Sequence, residues 1–306
     1  MRVYHALYHF CMFLIRNERI YDEPTFWERF SVFEDNLAFI EETNRQNLSY
    51  RLAPNVFADL THHEFVTWYT GTRYPSLNET ATPCEPPAPR PVRNNPSSLD
   101  WRNKDVVTPV KDQGQCGSCW AFAVAETLES AYAIAKGELV ALSPQELVDC
   151  DASSYGCEGG YPELAMGYAD THGLEKETEY PYTAADGTCR GHDSPYKASG
   201  CFEVAPDDEA ALADALQDAP VVVLIEADQR AFQFYSSGIL DARSCGQSLD
   251  HAVQLVGYGT ENGQDYWIVR NSWGVGWGED GYIRLQKDAG GAGTCGLATA
   301  PLAFKT

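Results

Sequence analysis

Two cysteines three residues apart stand in the run Gln113-Gly-Gln-Cys116-Gly-Ser-Cys119-Trp120, at the start of a strongly helical stretch. A thiol is mostly protonated near neutral pH. At a helix N-terminus beside a histidine it gives up its proton more readily, and the thiolate can attack a carbonyl carbon. The competing chemistry for Cys-x-x-Cys is a redox pair or half of a zinc site, but no second Cys-x-x-Cys and no histidine-rich partner accompanies it. Further along, His251 stands in Leu249-Asp250-His251-Ala252-Val253, and Asn271 opens Asn271-Ser272-Trp273-Gly274 twenty residues later. Without context, a lone histidine on an apolar strand reads as a core residue.

The elements that must hold these residues follow from periodicity and punctuation. Ser118 opens a helix rich in Ala, Leu and Glu that runs to Lys136 and is closed by Gly137 in the C-cap position. Ser143-Pro144-Gln145-Glu146 reads as a capping box with proline at the first helical position. From Pro220 the pattern turns to strands, with apolar stretches at Val221 to Ile225, Ala252 to Tyr258, Tyr266 to Arg270 and Gly281 to Leu285. Upstream, Phe26, Phe30, Phe33, Leu37, Ile40 and Asn44 recur at helical spacing, one buried stripe of a separate helix. Between the two parts, prolines at 83, 86, 87, 89, 91 and 96 rule out a regular helix or central strand from Thr82 to Pro96, which reads as an exposed linker and the region of cleavage. A helical half followed by an antiparallel sheet half is an α+β arrangement, with a cleft where the halves meet.

Composition narrows the partners. Of 44 acidic and 22 basic residues, 12 and 9 fall in the first 95, so the net charge of -22 belongs mostly to residues 96–306. Such a surface repels nucleic acid and anionic lipid, so neither is expected as a partner. No apolar run approaches the ~20 residues that cross a bilayer. The first fifteen residues carry Arg2, His5 and His9 ahead of a short interrupted apolar stretch, and no export signal is recognisable there. Ten cysteines and two glycosylation sequons, at Asn47 and Asn78, nonetheless favour an oxidising, secretory route.

The segment around Cys119 matches the signature of papain and cathepsin nucleophiles, and the chain resembles the papain family of cysteine peptidases, closest in pattern to cathepsin L-like enzymes. The resemblance implies a two-lobed catalytic domain, one lobe helical and one an antiparallel, barrel-like sheet, over residues 96–306. Residues 1–95 would be an inhibitory propeptide with its linker. Arg29, Phe33, Asn36, Ile40 and Asn44 resemble the spaced motif of papain-type propeptides, and Asn55-Val-Phe57-Ala-Asp59 the second one. Thr25 stands where that pattern has Glu, and Ala53 where it has Gly. By the same resemblance Cys119 is the nucleophile, His251 its base, Asn271 the acceptor that orients the imidazole, and Trp273 the shield over that bond. Gln113 and the backbone N–H of Cys119 would stabilise the oxyanion.

Substrate would lie on Gly159, Gly160, Asp250, Trp273 and Trp277, its backbone pairing with the two glycines. The pocket for the residue two before the cut would be lined by Tyr161, Pro162, Leu224, Leu249, Ala252 and Ala300, all apolar or nearly so. The family pairs Cys116 with Cys157, Cys150 with Cys189 and Cys245 with Cys295; Cys201 is then expected as a buried thiol, and Cys11 and Cys84 fall outside the framework. No paired-histidine insertion lies between Gly160 and Cys189, so an open, endopeptidase cleft is expected. The implied protein needs no cofactor and no metal. It is a monomeric, lysosomal, vacuolar or secreted peptidase acting on proteins and peptides through a thioester, restrained by its own propeptide and open to cystatin-type inhibitors. Acid maturation is expected, driven by Asp59 and neighbouring carboxylates. Peptide ligation by the same acyl-enzyme, and a binding protein that has kept the fold, are the rivals.

Overall fold

The computed structural model describes residues 2–73, 83–88, 93–191 and 193–306. The sequon at Asn78 and linker residues Thr82, Pro89 and Pro91 lie outside the described residues. Among the described residues no helix is long and apolar enough to cross a membrane.

The chain opens with α1 (Arg2–Arg16) and α2 (Glu23–Arg45), capped at its start by Asp22, whose side chain accepts from Thr25 N. Ala6, Phe10 and Phe13 of α1 are buried at helical spacing, and the Phe10 and Phe13 rings meet Phe33 at 5.2 and 5.3 Å. The N-terminal stretch is therefore one wall of the apolar core that α1 forms with α2. A short strand β1 (Tyr50–Leu52) and helix α3 (His62–Tyr69) follow. The spaced polar residues of α2 hold the chain that runs back beneath the helix. Asn36 Nδ2 donates to Ala58 O and Leu60 O, Asn44 brackets Leu52, and Arg29 grips Glu64 through two nitrogens at 2.6 and 2.7 Å. Each satisfies backbone or charge that would otherwise be stranded there. Ala53, in place of Gly, keeps negative φ and donates its N–H to Phe234 O, so nothing at that position requires glycine.

The second part begins with β2 (Leu99–Asp100) and the helices α4 (Cys119–Lys136), α5 (Pro144–Cys150) and α6 (Pro162–His172). Only half of the capping box at α5 forms: Ser143 Oγ accepts Glu146 N, but the Glu146 carboxylate turns to Glu175 N. Then come β3 (Cys201–Glu203), α7 (Glu209–Leu216), β4 (Val221–Ile225), α8 (Arg230–Gln233), β5 (Tyr235–Leu240), β6 (His251–Glu261), β7 (Gln264–Arg270), β8 (Tyr282–Gln286) and β9 (Leu302–Phe304). Strand order is β1-β5-β8-β7-β6-β4-β9-β3, with β2 on β6; every pair is antiparallel except β5 with β8. The propeptide strand β1 thus extends the sheet of the second part. Helices segregated against an antiparallel sheet make this an α+β protein.

Two apolar clusters mark two lobes. The helical lobe gathers α4, α5 and α6 with one face of β4 and β6. The sheet lobe shares its cluster with the propeptide, whose Phe57, Phe65 and Tyr69 rings surround Trp273 at 5.4, 5.3 and 6.4 Å. Disulfides join Cys116 to Cys157, Cys150 to Cys189 and Cys245 to Cys295. A fourth corrects the sequence reading of Cys201: it is bonded to Cys84, and neither is a free thiol. Cys11 is free and exposed, and Cys119 is free and buried.

Candidate active site

Cys119 is the first residue of α4, so its side chain stands at the positive end of an 18-residue helix. Cys116, its neighbour in the motif, is committed to Cys157, which removes the redox-pair and zinc readings. His251 is the first residue of β6, placed by the register Ile225↔His251 and Leu224↔Ala252. Asn271 comes directly after β7, which turns back on β6 through Asn262-Gly263, both at positive φ (52° and 80°) as a two-residue hairpin loop demands. The hairpin carries Asn271 back to His251, and His251 Nε2 lies 2.8 Å from Asn271 Oδ1. That oxygen also accepts Ser272 N–H at 2.8 Å, which fixes it as an acceptor and puts the imidazole proton on Nε2. Nδ1 is left as the basic nitrogen, and it is buried with no hydrogen-bond partner among the described residues. Trp273 covers the ring at 4.7 Å between centroids and is itself backed by Trp277 at 5.0 Å.

Gln113 is fully buried. Its Nε2 donates to Cys116 O at 2.9 Å and approaches Tyr69 O at 3.4 Å, while its Oε1 accepts Ser272 Oγ at 2.7 Å. Tyr69 begins a segment that sequence reasoning missed. From Tyr69 to Arg73 the propeptide threads between the lobes: Gly71 N and Thr72 N donate to Asp250 O at 3.0 and 2.9 Å, Gly160 N donates to Gly71 O at 2.9 Å, and Arg73 N donates to Gly160 O at 2.8 Å. Thr72 Oγ1 reaches Cys119 Sγ at 3.3 Å. Gly71 must be glycine here, since a Cβ would sit 2.1 Å from Gly117 O. Only Gly160 pairs with this strand; the N–H and C=O of Gly159 are bonded to Gly156 and Tyr155.

Closure changes the electrostatics. Burial, above all other causes, pushes the Cys119 thiol up to about 11, although Thr72, Ala252 N–H and Trp120 N–H each favour the thiolate. Burial pushes His251 down to about 4 against the opposing bond to Asn271. The pair is therefore thiol and neutral imidazole in this state. Asp250, whose Oδ1 accepts Ala227 N, is pushed up to about 7, again by burial.

Of the apolar pocket residues, Leu224, Leu249 and Ala252 share the helical-lobe cluster. Pro162 is buried at the start of α6, and Tyr161 and Ala300 are half-buried.

Comparison with known proteins matches residues 95–304 to the papain family cysteine protease model and residues 10–65 to the cathepsin propeptide inhibitor domain (I29) model. Chymopapain of Carica papaya is 44% identical over 302 residues, covering 94% of this chain and 83% of that protein. Among solved structures, a recombinant stem bromelain precursor superposes with a TM-score of 0.89 at 38% identity, covering 98% of each chain. A digestive procathepsin L 3 of Tenebrio molitor larval midgut gives 0.87 at 37% identity, covering 98% of this chain and 99% of that one.

Proposed function

The chain belongs to the papain family of cysteine proteases and is a cysteine endopeptidase held latent by its own propeptide; on that premise we propose that Cys119, His251, Asn271 and Gln113 are its catalytic set. One observation carries the assignment: His251 is bonded through Nε2 to an oxygen that can only accept, leaving a buried Nδ1 with no hydrogen-bond partner among the described residues.

Once the propeptide leaves, water returns to the cleft and the burial that holds the proton on sulfur is relieved. The proton passes to Nδ1, and the thiolate at the head of α4 attacks the scissile carbonyl. Charge developing on the carbonyl oxygen is met by Gln113 Nε2 and the Cys119 N–H. His251 then returns its proton to the leaving amine, and a thioester on Cys119 remains for water to hydrolyse. Asn271 keeps the ring in line, and Trp273 keeps water off the bond that holds it.

The propeptide pairs with the backbone of Gly160 and Asp250, bonds that any peptide can make, so side-chain discrimination falls to the apolar pocket of Tyr161, Pro162, Leu224, Leu249, Ala252 and Ala300. Burying a Leu, Val or Phe there contributes about 1.5–3 kcal/mol, whereas a charged side chain finds no partner. The reading is that the enzyme prefers an apolar residue two before the cut. Four disulfides and an exposed sequon asparagine, Asn47, support travel through an oxidising secretory route to a vacuolar, lysosomal or extracellular destination. Monomeric action and inhibition by cystatin-type proteins belong to the same reading. Titrating the matured protein with a thiol-reactive peptide epoxide tests it: stoichiometric labelling at Cys119 with loss of peptide hydrolysis is expected, and activity that survives full labelling would remove Cys119 as nucleophile.

A further inference from the structure

The disulfide between Cys84 and Cys201 spans 117 residues of sequence. Cys84 lies in the proline-rich stretch that reads as a removable linker, whereas Cys201 opens β3 of the peptidase. The surroundings of the bond decide to which part the linker belongs. Both cysteines are 3% exposed and sit in the helical-lobe cluster with Ala165, Met166, Leu302 and Phe304, and among the described residues none N-terminal to Pro83 is a member of that cluster. Next along the chain, Glu85 bridges to Phe202: its N–H donates to Cys201 O at 2.9 Å, and its C=O accepts Glu203 N at 2.8 Å. The Glu85 carboxylate meets Lys305 Nζ at 2.5 Å. On the other side Pro83 rests on α6 so closely that a Cβ added at Gly167 would lie 2.5 Å from the proline Cγ. Downstream, Arg93 pairs with Asp218 at 2.5 Å and Pro96 O accepts the Tyr258 hydroxyl at 3.1 Å. Glu85 is in effect a one-residue edge strand of the catalytic sheet, parallel to β3, with Pro83 and Cys84 leading into it as a bend.

We propose that maturation leaves this strand on the enzyme: the inhibitory helices α1 to α3 separate on the N-terminal side of Pro83, and residues 83–88 stay as a disulfide-held edge of the active peptidase. The proposal rests on the reading that the precursor is opened by cutting the propeptide from the peptidase. The chemistry is amide hydrolysis alone, one water consumed per bond cut, with the disulfide neither oxidised nor reduced. Departure of the strand would need that bond reduced. It would also leave the Cys201 thiol in an apolar cluster and strip the edge of β3 of both its hydrogen bonds. A further cut downstream of residue 88 would not release it either, because the covalent tether holds the peptide at an effective concentration on the order of millimolar.

The test labels matured enzyme with the peptide epoxide, blocks remaining thiols with iodoacetamide, and weighs the labelled protein before and after reduction. The expected species contains residues 83–88 and an unalkylated Cys201; if the chain is also cut downstream, reduction releases one short peptide containing Cys84. A labelled chain that lacks Cys84 and carries an alkylated Cys201 would overturn the proposal, as would labelled enzyme still bearing α1 to α3 through the disulfide. Absence of any labelled protein would remove the peptidase reading and this inference with it, whereas either overturning species removes the inference alone.

Discussion

With the propeptide seated, the Cys119 thiol is raised to about 11. At pH 7 that leaves roughly one molecule in ten thousand as thiolate, against about 3% for a free cysteine of ordinary pKa near 8.5. Ionisation alone therefore predicts alkylation of Cys119 about 300-fold slower than that of an open thiol, before any shielding by Thr72 is counted. The intact precursor carries its own reference, since Cys11 is free and exposed on α1. Brief treatment with iodoacetamide at pH 7, followed by peptide mass mapping, should find Cys11 modified and Cys119 at least ~100-fold less so. Raising the pH to 10 should speed modification of Cys119 about tenfold per unit, because each unit multiplies the thiolate. A purely steric block on a thiol of ordinary pKa would instead level off above about pH 8.5. After the propeptide is removed, Cys119 should react faster at pH 6 than Cys11 does in the intact precursor, with the α4 N-terminus and the His251 imidazolium favouring the thiolate. Equal rates at the two cysteines in the precursor at pH 7, or a rate at Cys119 that ignores pH, would refute the desolvation account of latency.

Cys119→Ala should abolish both hydrolysis and self-maturation while leaving the melting temperature within a few degrees, since Ala suits the start of α4; rapid hydrolysis by the purified variant would end the assignment. Asn271→Ala should lower kcat without abolishing it, because Trp273 still packs on the imidazole, and the pH profile should broaden as the ring loses its fixed tautomer. Ala300→Glu should raise kcat/KM for Arg-containing relative to Leu-containing peptides about tenfold or more by supplying a partner charge, and an unchanged ratio would mean that Ala300 does not reach the pocket. Glu64→Gln should reduce the acid dependence of maturation below pH 4.5, read as the rate of propeptide loss against pH.

Cys119, His251 and Asn271, the proposed catalytic set, could be picked out because each sits in a local run of residues that resembles a family motif; the structure sets them at a helix start, a strand start and just past a hairpin with an Asn-Gly turn. The stripe of α2 was legible because 3.6-residue periodicity reports which face is buried. What stayed hidden depends on position in space. The segment Tyr69 to Arg73 holds the cleft through backbone groups, and backbone hydrogen bonds leave no mark on residue type beyond Gly71, where a side chain has no room. The Cys84–Cys201 bond was hidden because Cys84 stands among prolines that do mark a break in regular structure, yet a single extended residue between prolines is enough to add an edge strand. The helix α1 was missed because Ala6, Phe10 and Phe13 form too short a stripe to outweigh the charged residues around them, and only the facing Phe30 and Phe33 explain it.

The expectation that acid drives maturation can be narrowed to particular groups by counting protons. In the closed cleft Cys119 holds one proton and His251 none; in an open cleft with thiolate and imidazolium the pair still holds one, so opening takes up no proton from the dyad and gains nothing from falling pH. Asp250 has the wrong sign: burial holds it up to about 7, so opening the cleft to water would release its proton, and acid would favour closure. Glu64 has the right sign. The Arg29 guanidinium holds its carboxylate down to about 2, so a folded propeptide refuses a proton that an unfolded one accepts below about 4.3. That stability is full above about 4.3 and drains as pH falls toward 2, an effect of about 1–2 kcal/mol once solvent screening of a part-exposed pair is allowed for. The pair ties α2 to α3, and α3 carries Phe65 and Tyr69 onto Trp273 and leads directly into the cleft-filling strand, so loosening it frees the strand at its root. Glu64→Gln keeps the side-chain shape and the cap on α3 but removes the titration. If that variant matures with the unaltered slope of rate against pH between 4.5 and 2, the Arg29–Glu64 pair is not the trigger.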